Sequence, residues 1–188
     1  MTVNTEPTRA PSKALYLTDY ARATWDIAAL SVTLPVLARA PRRDGHAVLV
    51  IPGLGASDVS TLILRRFLKD HAHSNARRAY ELLEKRHTET IQLPLEAGLG
   101  PLPVPATSVY TRLDGIVAWR ACLDEPARLA ENVEVYASHF GIGNHPAALW
   151  VIADRLTQAP GKWAPFRPPA RWRCAYPTPI ATDLVDPL

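Results

Sequence analysis

His46-Ala-Val-Leu-Val-Ile-Pro-Gly-Leu-Gly-Ala-Ser-Asp58 decides the reading of the fold. His46 to Ile51 is a continuous apolar run, bounded by the turn Pro41-Arg-Arg-Asp-Gly45 and by Pro52. That pattern predicts a strand buried on both faces, as in a parallel sheet. A Gly-rich loop, Pro52 to Asp58, follows directly. Ser57 or Asp58 can cap the helix after it, whose inner face would carry Leu62, Leu64, Phe67 and Leu68.

Working outward, Leu15 to Leu30 fits one long helix, with Leu37 to Arg39 as a frayed continuation beyond Pro35. The stretch Ala14 to Leu37 is amphipathic and is expected to pack on the body, with contact to a membrane surface or an acyl chain as the sharper alternative. A further helix fits Asn75 to Arg86, with Ala79, Leu82 and Leu83 inward. Glu96 to Pro103 is a Gly/Pro loop. Val104 to Tyr110 and Asn132 to Ala137 read as strands, and Thr90 to Leu93 is a candidate fourth. Pro146 suits the first turn of a helix running to Leu156. The proline- and tryptophan-rich tail from Gln158 is expected to wrap the surface. Strands alternating with helices give an α/β fold class: a parallel sheet of three or four strands flanked by helices. Residues 1–12 read as a flexible tail and 13–188 as a single domain.

The composition narrows the function classes. The apolar fraction is 47%, charged residues make up 21%, and the net charge is +3, as for an ordinary soluble domain. The arginines are scattered, with no Lys/Arg block longer than two, so no nucleic-acid partner is expected. Cys122 and Cys174 lack metal spacing and read as two buried thiols of a cytoplasmic protein; no metal and no cofactor is implied. The polar, proline-containing start does not read as a secretory signal, and no run approaches the ~18 apolar residues of a transmembrane segment.

In a parallel sheet the site lies beyond the carboxyl ends of the strands. That rule gathers three loops: Pro52 to Asp58, Thr111 to Trp119 and Ser138 to Asn144. In the first, Gly53, Leu54 and Gly55 can turn tightly and leave backbone N–H groups free for an oxyanion. In the second, Asp114 stands four residues past a strand end and can orient a histidine; an Asp-Gly pair is also a common turn. In the third, His139 stands just past a strand and can act as a general base. His145 is the competing histidine. His46 falls at the wrong end of its strand, and His71, His73 and His87 read as solvated helix residues. Gly53-Leu-Gly55 also begins a dinucleotide fingerprint, but Asp58 stands where its third glycine belongs.

Together these stretches resemble the esterase/lipase-like α/β-hydrolase family. His46 to Asp58 is similar to its strand and oxyanion loop. Arg112-Leu-Asp-Gly-Ile-Val-Ala-Trp119 looks like its acid loop, and Ser138-His-Phe-Gly-Ile-Gly143, with Asn144 and Pro146 behind it, like its histidine loop. The resemblance covers roughly residues 14–70 and 76–168. It implies Asp114 as the triad acid, His139 as the base and the Leu54 backbone as one oxyanion donor, in the family's Ser…Asp…His order.

The chain departs from the family in one block. None of its seven serines lies in Gly-x-Ser-x-Gly; the nearest stretch, Gly55-Ala-Ser57-Asp-Val59, lacks the second glycine. The family would place at least two strands, the elbow and its helix where this chain joins one helix to the next. An internal deletion with its join around Lys69 to Asn75 explains this. Ser57 is the hydroxyl placed in a loop facing Asp114 and His139, although helix capping is its commoner use.

The sequence therefore predicts a carboxylic-ester hydrolase-like protein acting on a small acyl ester through Asp114, His139 and Ser57. A water-activating His139 without a covalent nucleophile is a variant of it. The alternative is a catalytically inactive remnant that binds an acyl ligand or a protein. Lost strands leave apolar edges, so a homo-oligomer through the exposed sheet edge is expected.

Overall fold

The computed structural model describes residues 9–42, 50, 58–71, 104–124, 127–159 and 161–177. The expected strand at 46–51 apart from Val50, the one at 90–93, the helix at 75–86 and Gly53, Leu54, Gly55 and Ser57 lie outside the described residues.

The chain combines helices with a small parallel sheet. Helix α1 spans Lys13–Leu37 and helix α2 spans Leu62–His71, the latter entered through a 3-10 turn at Asp58–Thr61. Strand β1 (Ala106–Tyr110) pairs in parallel with strand β2 (Ala130–Glu134), in the register Ala106↔Ala130 to Tyr110↔Glu134. Helix α3 spans Pro146–Leu156 and begins, as expected, on a proline that needs no N–H partner.

Both strands are bounded differently from the sequence reading. β1 starts at Ala106 because Pro105 donates no ladder hydrogen bond, and Val104 stands exposed. β2 starts at Ala130 rather than Asn132 and ends at Glu134. Beyond it the Val135 N–H still reaches the Tyr110 carbonyl at 2.9 Å. The Thr111 hydroxyl then takes over from the backbone and donates to the Ala137 carbonyl at 2.9 Å. The two segments thus leave the sheet side by side.

Pro35 does not end α1. It sits inside the last turn, where the missing N–H costs one helical bond, and the Ala38 N–H caps the helix on the Leu34 carbonyl at 2.9 Å. At the other end the Ser12 hydroxyl accepts from the Leu15 N–H. Leu62, placed inward by the sequence reading, faces outward. Phe67 and Leu68 are buried with Ile63 and Leu64 packed beside them, a face that Leu62, two residues before Leu64, does not share. Cys122 closes a 3-10 turn, Trp119–Cys122.

Helix α3 is the centre of packing. Its Leu149 and Val151 are fully buried. On one side Leu149, Trp150 and Ala153 join Leu30 and Leu37 of α1 and Phe67 and Leu68 of α2. On the other, Ala147 and Ala148 meet Val135 and Ala137 at the end of β2, with Val109 and Tyr176 against them. The described part of the tail, up to residue 177, lies on this body: the Tyr176 hydroxyl donates to the Ala147 carbonyl at 3.1 Å, and its ring packs on Phe166.

Helix α1 inverts the usual amphipathic pattern. Its buried face carries Asp19, Ala23, Asp26, Leu30 and Leu37, whereas Tyr16, Leu17, Tyr20, Trp25 and Val32 are exposed. No helix among the described residues is long and apolar enough to cross a membrane.

Candidate active site

The residues after β1 turn at once. Asp114 folds back over its own loop, its Oδ1 accepting from the N–H groups of Ile116 and Val117, both at 2.7 Å. This is an Asx-type turn, the local use expected of Asp-Gly. It leaves Oδ2 free to point across the sheet end. There His139, five residues past β2, presents Nδ1 at 2.9 Å.

A carboxylate only accepts, so the hydrogen of this bond belongs to His139 Nδ1. Nε2 then carries the lone pair of a base. The His139 side chain keeps 32% of its surface accessible, and nothing among the described residues hydrogen-bonds Nε2. Asp114 is buried and braced by its own loop. An oriented, half-exposed imidazole backed by a buried carboxylate is the acid–base arrangement that activates a hydroxyl or a water.

Two further carboxylates hold the site loops on α1, and the sequence reading names neither. Asp19 of α1 is fully buried; its Oδ1 accepts from the N–H groups of Gly115 (3.2 Å) and His139 (3.1 Å), and its Oδ2 from the N–H of Phe140 (3.1 Å). Asp26, two turns further along, takes the Ser138 N–H at 2.9 Å and the Ser138 hydroxyl at 2.6 Å on Oδ2. Ser138 Oγ in turn accepts from the Gly141 N–H at 3.0 Å. Buried polar groups require partners, and here they are N–H groups and a hydroxyl of the site loops, joined at Asp19 by the Arg22 guanidinium of α1. The sequence signal is that Asp19, Arg22 and Asp26 are the sole charges between Lys13 and Arg39.

Glycine is required where α1 meets the acid loop. A Cβ on Gly115 would overlap the Leu15 carbonyl oxygen, with the Leu15 carbonyl carbon at 2.7 Å and Asp19 Oδ1 at 3.0 Å. Helix backbone cannot step aside as a side-chain tip does. Gly115→Ala is therefore expected to destabilise the fold by about 2 kcal/mol. A denaturant titration showing less than a quarter of that loss would mean that α1 and the acid loop are not in close contact.

The remaining candidates separate clearly. His145 sits at the N-cap of α3 with its Nδ1 buried and unpartnered among the described residues. Burial holds its pKa below the ordinary histidine value, partly offset by Asp26, so it is poised as a neutral packed ring. Ser138 is buried on Asp26, and Ser108 donates to the Cys122 carbonyl. Ser12 and Ser31 serve α1. None of these four hydroxyls contacts His139 Nε2.

Compared with protein-family models, curated proteins and solved structures, the chain gives no match in any of the three. What the site can do therefore follows from its own geometry.

Cys122 lies close enough to Asp114 to feel its charge. Burial first, and the Asp114 carboxylate second, push its thiol pKa above the ordinary value. The fraction of thiolate at neutral pH falls accordingly. Neither thiol is buried as the sequence suggests: Cys122 is half-buried in its loop and Cys174 is exposed in the tail, so iodoacetamide near neutral pH is expected to modify Cys174 well before Cys122. Peptide mass mapping checks the order, and earlier labelling of Cys122 would contradict it.

Proposed function

We propose that the chain is a carboxylic-ester hydrolase with a truncated α/β-hydrolase-like sheet. The observation that carries this reading is the 2.9 Å contact between His139 Nδ1 and Asp114 Oδ2, made beyond the carboxyl ends of two adjacent parallel strands. His139 Nε2 takes the proton of the nucleophile, and Asp114 stabilises the imidazolium that results. The nucleophile is the Ser57 hydroxyl. Its Oγ bonds to the acyl carbon while backbone N–H groups of the Gly53-Leu54-Gly55 loop hold the oxyanion. The C–O bond to the leaving alcohol then breaks, and that oxygen receives the proton from His139. Water, deprotonated by the same nitrogen, cleaves the acyl-enzyme and regenerates the serine. The substrate is a small acyl ester, and two copies associate through the open sheet edge.

Release of p-nitrophenol from p-nitrophenyl butyrate by the full chain and by Ser57→Ala tests the assignment. The reading predicts turnover by the wild type and loss of it in the variant. Equal rates would move the nucleophile to water activated by His139. A single observation favours a second reading, an acyl-ligand-binding protein without turnover. The exposed rings of Tyr20 and Phe140 stack at 4.4 Å, and Phe140 packs edge-on against His139 at 5.1 Å, an apolar platform beside the base. Absence of turnover with the ester bound would support that alternative.

A further inference from the structure

We propose that Asp19, with Arg22 behind it, is the positioning residue that sets the geometry of the Asp114–His139 pair. The inference rests on the hydrolase reading for the use of that pair, and on contacts for the rest. Asp19 Oδ1 receives two backbone N–H groups: that of Gly115, next to the acid, and that of His139, the base itself. One oxygen atom thereby ties the loop after β1 to the loop after β2. Oδ2 adds the Phe140 N–H, which fixes the histidine loop on its other side.

Arg22 completes the hold. Its Nη2 pairs with Asp19 Oδ1 at 2.9 Å and also donates to the Leu15 carbonyl at 2.9 Å. Its Nη1 donates to the carbonyl of Leu113, the residue before Asp114, at 2.6 Å. Asp114 is thus held through both of its neighbours, from the same turn of α1. These contacts run 91 to 121 residues across the chain, so they align loops that nothing local brings together.

A purely structural carboxylate would support the loops without deciding the ring's hydrogen bond. Asp26 provides that comparison, since it is also buried on α1 but accepts only from Ser138 among the described residues. Asp19 acts on the pair itself. Displacing either loop by about 1 Å is enough to cost roughly a hundredfold in rate where a reacting geometry is set.

The experiment uses Asp19→Asn, Arg22→Gln and Asp26→Asn in the full chain, with folding checked by circular dichroism. Long-range 15N–1H correlation of the His139 ring reports which nitrogen carries the hydrogen. Wild type and Asp26→Asn are expected to show the Nδ1–H tautomer. Folded Asp19→Asn is expected to show a mixture with Nε2–H, and Arg22→Gln a smaller admixture. With p-nitrophenyl butyrate, Asp19→Asn is expected to lose kcat by roughly a hundredfold with KM nearly unchanged. An unchanged tautomer in folded Asp19→Asn overturns the proposal. If that variant does not fold, amide exchange in the wild type decides. Equal protection of the Gly115, His139 and Phe140 amides supports a common clasp; Gly115 exchanging much faster than the other two overturns it. A wild type without turnover but with the Nδ1–H tautomer overturns the hydrolase reading and leaves the clasp standing.

Discussion

Asp114→Asn is expected to lower kcat for ester hydrolysis by about 10⁴-fold while leaving the fold intact. The direction follows from the hydrogen bonds that Asp114 makes besides the one to histidine. Its Oδ1 accepts from two N–H groups, Ile116 and Val117, both at 2.7 Å. An asparagine at this position must keep its carbonyl oxygen there, because an NH2 group would face two donors. Its NH2 group is then the group that faces His139 Nδ1. Nδ1 becomes an acceptor, the ring hydrogen moves to Nε2, and the nitrogen that should take the nucleophile's proton no longer can. Steady-state kinetics on the variant, with thermal unfolding as a control, checks this. A rate within tenfold of wild type would show that Asp114 does not orient the reacting base.

Gly141→Ala is expected to cost more stability than Gly115→Ala, about 3 kcal/mol. A Cβ built at this position overlaps Asp26 Oδ2, with Ser138 Oγ at 2.5 Å and Asp26 Cγ at 2.7 Å. The obstructing carboxylate is buried and already bonded to the Ser138 N–H and hydroxyl. Moving it leaves buried donors unpaired, so steric relief and hydrogen bonding work against each other. The methyl would also push the histidine loop off α1. Chemical denaturation should show a lowered midpoint with an unchanged slope. A midpoint equal to that of the wild type would mean that α1 and the histidine loop do not approach this closely.

Much of the site can be read from the sequence because its residues follow strands. The rule that parallel sheets present their sites at carboxyl ends places Asp114 after Tyr110 and His139 after Ala137, and the structure brings those two side chains together. Pro146 likewise marks the start of α3. What escapes the sequence is the part supplied by α1. A helix with aspartates on its buried face and Tyr16, Leu17, Tyr20 and Trp25 on its exposed face defeats a reading based on apolar periodicity. Asp19 and Asp26 are buried against backbone N–H groups about 100 residues away, and no local pattern encodes such a meeting. Pro35 misleads for a related reason. Its cost is a single missing donor in a last turn, which packing of Leu37 and Ala40 in the core outweighs. Leu62 falls outside because it stands two residues before Leu64, about 200° round the helix from the face that Leu64, Phe67 and Leu68 share.

The glycines and the buried carboxylates give the site a shared logic. Gly115 and Gly141 let α1 approach closely, and Asp19 and Asp26 use that closeness to hold the two loops. Stability and function are therefore coupled through one helix: a substitution that lifts α1 disturbs the ring of His139 without touching it.

The assignment of His139 as the base of an ester-cleaving site meets its most direct test in the rate of p-nitrophenyl butyrate hydrolysis by the wild type and by His139→Ala, both shown to be folded. The wild type is predicted to turn over, and the variant to fall by about 10³-fold or more. Equal rates in the two proteins would contradict that assignment.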